Sequence, residues 1–332
     1  MRSISFPGQG RIGLEDRAEP QPGPGDVLLR IQRTALCGSD CKLWQRGTDL
    51  VPGHEIFGTV DQPGHALHGQ RSCVFIPVHC GRCASCQRGD THLCLTDSVL
   101  MGWNRDGGYA ERVAVPEPCL LPVRDDIDDD LAPLLLDTIG TAAHGLRTVA
   151  PLVPPEDAEV LILGAGPVGL GGLIAAQEMG YRRIAVSDLR EGRLALSQAL
   201  GATPHPVGDR SRRFHLVIES SGSHAARNQA LEIVWPRGVV LLIGENDAPW
   251  TIEETKPIRR KDFYMVRSFY FPKSDLAANI ALLRARRDDY RRLVDRRFGL
   301  DDFAEVFPRF AAGELVKPLL DPSLRREDGA DR

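Results

Sequence analysis

Apolar residues in this chain follow two rhythms, and the rhythm changes near residue 158. Before that point the apolar runs are short and sit between turn residues. Val27-Leu28-Leu29-Arg30-Ile31 and Cys73-Val74-Phe75-Ile76 have the β-branched content and the flanking Gly, Pro and polar residues of short strands. Pro20 to Asp26 makes a rigid turn ahead of the first. After residue 158, Glu159–Leu163, Arg183–Ser187, Leu216–Glu219 and Val239–Ile243 predict buried strands, with one helix around Leu170 to Met179 and another, after Ser187, through Leu200. Such strand–helix alternation predicts a parallel sheet covered on both faces. Between the two regions an acid-rich run, 125–130, precedes a segment, Leu131 to Val149, that is expected to be largely helical.

A length of 332 residues favours two domains. The expected division is an all-β, barrel-like domain over 1–135, a nucleotide-type α/β domain over 136–275, and a segment, 276–332, that returns to the first domain. The net charge is -4, and the arginines are scattered among acids, which removes the electrostatic case for nucleic acid or an anionic membrane. No run approaches the roughly 20 apolar residues of a membrane span. The N-terminal MRSISFPGQG has no apolar signal core. With no signal, the eight cysteines point to metal binding in a reducing cytoplasm rather than to disulfides.

Four of them, Cys80, Cys83, Cys86 and Cys94, form a C-x2-C-x2-C-x7-C lobe. Four soft thiolates suit a tetrahedral metal, and zinc is the usual occupant. A closed four-sulfur site leaves no open position for a substrate, so the lobe is expected to be structural. An iron–sulfur cluster is the competing occupant, disfavoured by the seven-residue gap and the missing Cys-Pro. Cys37, in Cys37-Gly38-Ser39-Asp40, and His54, in Gly53-His54-Glu55, offer two ligands for a second metal, and spacing alone does not name a third.

Gly164-Ala165-Gly166-Pro167-Val168-Gly169 fits G-x-G-x-x-G after an expected strand and at the start of an expected helix, the context that makes the pattern a dinucleotide site. The first glycine permits the turn, the second lets the backbone approach a pyrophosphate, and the third allows close packing of helix on strand. Asp188 ends the next strand, where an acid binds the adenosine ribose and repels a 2′-phosphate. NAD is therefore expected over NADP, a preference tempered by Arg190 and Arg193.

Taken in order, Cys37-Gly38-Ser39-Asp40, Gly53-His54-Glu55, the cysteine lobe, Asp106-Gly107-Gly108-Tyr109-Ala110-Glu111 and Gly164 to Gly169 resemble the zinc-dependent medium-chain alcohol dehydrogenases. The polyol (sorbitol-like) and threonine-type branch is the most similar, and the resemblance covers nearly the whole chain, including the tail through Gly313 and Lys317. It implies an α/β architecture: a GroES-like β-barrel catalytic domain plus a Rossmann doubly wound parallel-sheet domain, with the site in the cleft between them. It implies two zinc ions per chain. Cys37, His54 and Asp137 match the catalytic ligands, Glu55 matches an acid close to that metal, and Ser39 matches a proton-relay hydroxyl. The implied reaction is hydride transfer from a secondary alcohol to NAD, in a homodimer or homotetramer that acts on a polyol, sugar or amino alcohol.

Lys42 departs from the pattern, because many relatives carry a histidine there. A lysine with an ordinary pKa of about 10.4 is a poor neutral-pH shuttle. Either its pKa is depressed, or protons leave by another route, or Lys42 binds an acidic substrate or a phosphate. Two other functions compete with the dehydrogenase reading: an NADPH-linked carbonyl reductase and a non-catalytic zinc or redox-responsive protein.

Overall fold

The computed structural model describes residues 1–96, 99–252 and 254–325. The chain forms two compact units. One comprises Met1–Leu136, Pro272–Leu276 and the segment that starts at Val294; the other comprises Asp137–Phe271 and Ala277–Leu293. The chain touches the first unit briefly at Pro272–Leu276 and rejoins it from Val294, after the helices Leu276–Ala285 and Arg287–Arg291, where the sequence expectation sets the return at 276. Among the described residues no helix is long and apolar enough to cross a membrane.

In the first unit the strand Asp26–Ala35 is the hub. It pairs antiparallel with Glu55–Val60, with Arg112–Pro116 along its first half, and with Leu319–Leu320 at its end. The sheet continues from Glu55–Val60 through Arg71–Val74 to Leu120–Pro122, and a separate hairpin joins Arg2–Gly8 to Arg11–Asp16. Val27, Leu29 and Ile31 alternate inward along the hub strand, as a half-buried strand requires. The strand's end carries the chain directly into Leu36-Cys37, and the strand Glu55–Val60 begins one residue after His54. The candidate ligands therefore sit on short connections anchored by paired strands. The late helix Phe303–Ala311 buries Phe303, Val306, Phe307 and Phe310 on one face, and its rings pack against Phe6 and Tyr109.

The second unit is a six-stranded parallel sheet. In spatial order its strands are Thr203–Pro204, Arg183–Ser187, Glu159–Leu163, Phe214–Glu219, Val234–Leu242 and Tyr264–Arg267. In chain order within this sheet that is 3-2-1-4-5-6, the doubly wound order, and its switch point lies between Glu159–Leu163 and Phe214–Glu219. The helix Pro167–Glu178 is buried from Gly169 to Ala176, consistent with its apolar composition all round.

The segment 131–149 is not one helix. It divides into a 3-10 turn at Ala132–Leu135, a π turn at Asp137–Thr141 and an α-helix at Ala142–Val149. Leu136 breaks the register with ψ at -101°, and the Thr141 hydroxyl donates to Asp137 Oδ1 at 3.1 Å. Wide turns of this kind re-aim single side chains and are frequent at functional sites. Here the re-aimed side chain is Asp137.

Candidate active site and metal centres

The cysteine lobe is built on two short turns of helix, Ala84–Gln87 and Thr91–Leu93. The four sulfurs lie within 4.8 Å of one another. Cys83 Sγ and Cys94 Sγ are 4.0 Å apart, against about 3.8 Å for two sulfurs on a tetrahedral zinc with ordinary bond lengths. Backbone amides of Cys80, Arg82, Cys83 and Leu95 donate to these sulfurs at 3.3–3.4 Å, an arrangement that favours thiolates. The Thr96 hydroxyl and nearby amides lower the Cys80 pKa, whereas burial pushes Cys86 up to about 12. A bound dication would favour the thiolate form of its sulfur ligands. The donor set fits zinc.

A second group joins Cys37, His54, Glu55 and Asp137, with one ligand atom from each inside 4.8 Å. Asp137 is peptide-bonded to Leu136, the last residue of this stretch of the first unit, and the π turn aims its carboxylate. Sulfur, imidazole nitrogen and carboxylate oxygen are an appropriate zinc donor set. Cys41 lies outside the group, and its thiol is pushed up to about 12 by burial and the neighbouring charges of Asp40 and Cys37. His65 and His68 belong to no metal group among the described residues, and His65 lies 3.6 Å from Glu117 on a loop. Ser39 does not cap the helix Asp40–Arg46; its Oγ lies 3.3 Å from Cys37 Sγ, beside the group.

Two partners of this group were not singled out from sequence. Asp40, fully buried, lies with Oδ1 3.0 Å from His54 Nδ1, which leaves Nε2 for a metal. Lys317, also fully buried, holds Glu55 Oε1 and donates to the Leu36 carbonyl at 3.0 Å. Glu55 is thus an ion-paired carboxylate at the edge of the cluster. Lys42 Nζ stands 6.0 Å from the centre of the Trp103 ring, and Trp103 stands 6.1 Å from the His54 ring. This places an ammonium one ring away from the ligands.

In the second unit Gly164 has φ +101°, and a Cβ on Gly169 would fall 1.9 Å from the Gly164 carbonyl oxygen, so neither position admits another residue without rearrangement. Gly166 precedes Pro167 at the first helical position, and Val168 follows. Asp188 accepts from the Ala165 amide at 2.6 Å and the Arg190 amide at 2.8 Å. A carboxylate has about four acceptor positions, so two amide bonds leave room for ribose hydroxyls. An Arg193 nitrogen lies 3.9 Å from where a Gly166 Cβ would be, close to the helix N-terminus. Sequence reading missed the buried Glu219. Its Oε1 accepts from Ser221 N, Ser221 Oγ and Gly222 N at 2.6–2.8 Å, and Arg227 Nε meets Oε2 at 3.3 Å. Ser220 Oγ in turn donates to the Leu163 and Gly164 carbonyls. The glycine turn is therefore braced from the neighbouring strand at the switch point. The signal in sequence was an acid at the end of an otherwise apolar strand.

Residues 23–125 match the model of the alcohol dehydrogenase GroES-like domain. An L-threonine 3-dehydrogenase of Mesorhizobium japonicum is 31% identical, over 93% of this chain and 95% of its own. The chain belongs to the zinc-dependent medium-chain alcohol dehydrogenase family. An L-threonine 3-dehydrogenase of Chelativorans sp. is 30% identical over 91% of the chain and 93% of its own length. Alcohol dehydrogenase TADH of Thermus sp. ATN1 superposes with a TM-score of 0.86, at 27% identity, over 98% of this chain and 100% of that one.

As a member of this family the protein is a zinc-type oxidoreductase that acts on alcohols with a nicotinamide cofactor. The GroES-like and Rossmann expectations hold. Within the catalytic unit, the buried Lys317–Glu55 pair is the element most exposed to test. Removing one partner of a buried pair leaves the other charge uncompensated, at a cost of about 3–5 kcal/mol. Lys317→Met is expected to lower the unfolding free energy by about that amount, measured by urea denaturation of the holoenzyme. An unfolding midpoint equal to the parent's would show that Glu55 needs no cation.

Proposed function

We propose that the protein is an NAD-linked dehydrogenase of a secondary alcohol, with Cys37, His54 and Asp137 holding the catalytic zinc and the four-cysteine lobe a second, structural zinc. The observation that carries this reading is the approach of Cys37, His54 and Asp137 to within 4.8 Å, with Ser39 alongside and the lobe separate. When bound, zinc supplies Lewis acidity that makes an alcohol hydroxyl more acidic. NAD, when bound, accepts the hydride. The protein's own residues do the rest. Ser39 Oγ would accept the proton of the substrate hydroxyl as it gives up its own to water. Asp40 orients His54. Lys317 holds the Glu55 carboxylate at the cluster's edge.

Asp188 supports NAD over NADP, because a carboxylate held beside the glycine turn repels a 2′-phosphate. For the substrate, the relatives named as L-threonine 3-dehydrogenases and the ammonium of Lys42 beside Trp103 support a secondary alcohol that carries a carboxylate or another anionic group on that side. A homo-oligomer is the further reading. The outer strand Tyr264–Arg267 leaves Tyr264 and Met265 nearly half exposed, a surface suited to a second copy. The reaction is read as cytoplasmic. The non-catalytic alternative is not favoured, since the lobe and the Cys37 group are separate sites and the relatives are enzymes.

The deciding experiment follows NADH absorbance with zinc-loaded protein over a panel of L-threonine, an uncharged polyol, a phosphorylated polyol and a primary alcohol. Turnover on the anionic secondary alcohols above the rest supports the reading; a zinc-loaded protein that turns over none of the panel overturns it. Asp137→Ala is expected to reduce zinc by about one ion per chain and turnover by at least about 100-fold, with the lobe still filled. Full zinc content and activity would remove Asp137 as a ligand. Asp188→Ala is expected to raise KM for NAD by roughly tenfold and narrow the gap to NADP, and an unchanged cofactor ratio would show that Asp188 does not face the ribose.

A further inference from the structure

We infer that Tyr109 is a positioning residue for the zinc-ligating imidazole of His54, and that it acts through Asp40. The inference rests on the zinc reading of the Cys37–His54–Asp137 group. Tyr109 donates its phenol proton to Asp40 Oδ2 at 2.6 Å, and Asp40 Oδ1 meets His54 Nδ1 at 3.0 Å. Tyr109 and Asp40 are fully buried and His54 nearly so. A carboxylate shut away from water has to be met by donors, and Asp40 is given three: the phenol, the imidazole Nδ1–H and, more weakly, the Cys37 amide at 3.3 Å. Without the phenol, Oδ2 keeps only the long amide bond, and the carboxylate can turn about its own axis. Its hold on the ring turns with it.

The surrounding chain is arranged to deliver this phenol. The Val51 amide donates to Asp106 Oδ1 at 2.8 Å, Gly107 N to the Val51 carbonyl at 2.7 Å, Gly108 N to Gly53 O at 2.7 Å and Tyr109 N to Pro52 O at 2.9 Å. The Asp106–Tyr109 turn is thereby laced onto the loop that presents His54. Gly53 has φ +93°, and a Cβ there would lie 2.5 Å from the Tyr109 ring, so the glycine ahead of the ligand makes room for the tyrosine. On its other side the ring meets Phe303 and Phe6, with centroids at 4.8 and 6.3 Å. Phenylalanine would satisfy those ring contacts equally well, and the hydroxyl adds the bond to Asp40. Burial, with the charge of Asp40, raises the Tyr109 pKa well above its ordinary value, so the phenol stays a donor across the working pH range.

The test is zinc release from the full-length holoenzyme to the chelating dye 4-(2-pyridylazo)resorcinol. Tyr109→Phe is expected to speed the phase that is absent in Asp137→Ala by about tenfold or more. The lobe phase and the affinity for NADH, read by its fluorescence, stay as in the parent. Asp40→Asn gives an acceleration at least as large, and Tyr109→Phe adds nothing in the double variant. A parental release rate in Tyr109→Phe overturns the inference, and so does a further acceleration in the double variant. Should Tyr109→Phe fail to fold, a parental rate in Asp40→Asn overturns it independently. A parent that holds only the lobe zinc overturns the metal-site reading and this inference together, whereas a parent with both ions and an insensitive Tyr109→Phe overturns this inference alone.

Discussion

Charge buried without water organises the catalytic unit. Asp40, Glu55 and Lys317 are all completely enclosed, and none of these side chains is tolerable there alone. Lys317 neutralises Glu55 and ties the late strand Leu319–Leu320 to the end of the hub strand through the Leu36 carbonyl. Asp40 is satisfied by donors from two other parts of the chain, Tyr109 and His54. These pairings are long-range in sequence, and together they fix the two segments that carry Cys37 and the adjacent His54 and Glu55. The geometry of the Cys37–His54–Glu55 group thus follows from the need to compensate buried ions as much as from the strands.

The nucleotide unit solves a similar problem by different means. Its sheet is apolar, and its polar atoms are concentrated at the strand ends of the switch point. Asp188, just after Arg183–Ser187, accepts from the glycine turn on one side; on the other Ser220, just after Phe214–Glu219, donates to it, and the buried Glu219 is held by Arg227 of the helix His224–Ile233. A turn made largely of glycines has few side chains with which to stabilise itself. The stiffness therefore comes from acids and hydroxyls on adjacent strands, and this leaves the turn shaped before the cofactor arrives.

Much of this was legible in the chain. The four-cysteine lobe, Gly164 to Gly169 and Asp188 are local patterns, in which spacing along the sequence is nearly spacing in space. Cys37 and His54 could be proposed as ligands because each stands beside a glycine in a short loop. Asp137 had no local signal of its own and entered only through resemblance. In the structure a π turn, where sequence suggests an ordinary helix, is what aims it. Asp40 lay in plain view next to Ser39 without a role, because nothing near it in sequence reveals that Tyr109 and His54 converge on its two oxygens.

The sequence by itself determined the local patterns: a short-strand region followed by a strand–helix region, a four-cysteine lobe, a glycine turn between strand and helix, and a cysteine and a histidine each beside a glycine. These survive without tertiary information because hydrophobic period and ligand spacing act over a few residues. Only the tertiary structure decided which buried charges face one another. It joined Lys317 to Glu55 across most of the chain, set Tyr109 beneath Asp40 and gathered Asp137 with Cys37 and His54. The physical reason is that the cost of burying an ion depends on what surrounds it in three dimensions, and the partners that meet that cost are chosen by packing rather than by their distance along the chain.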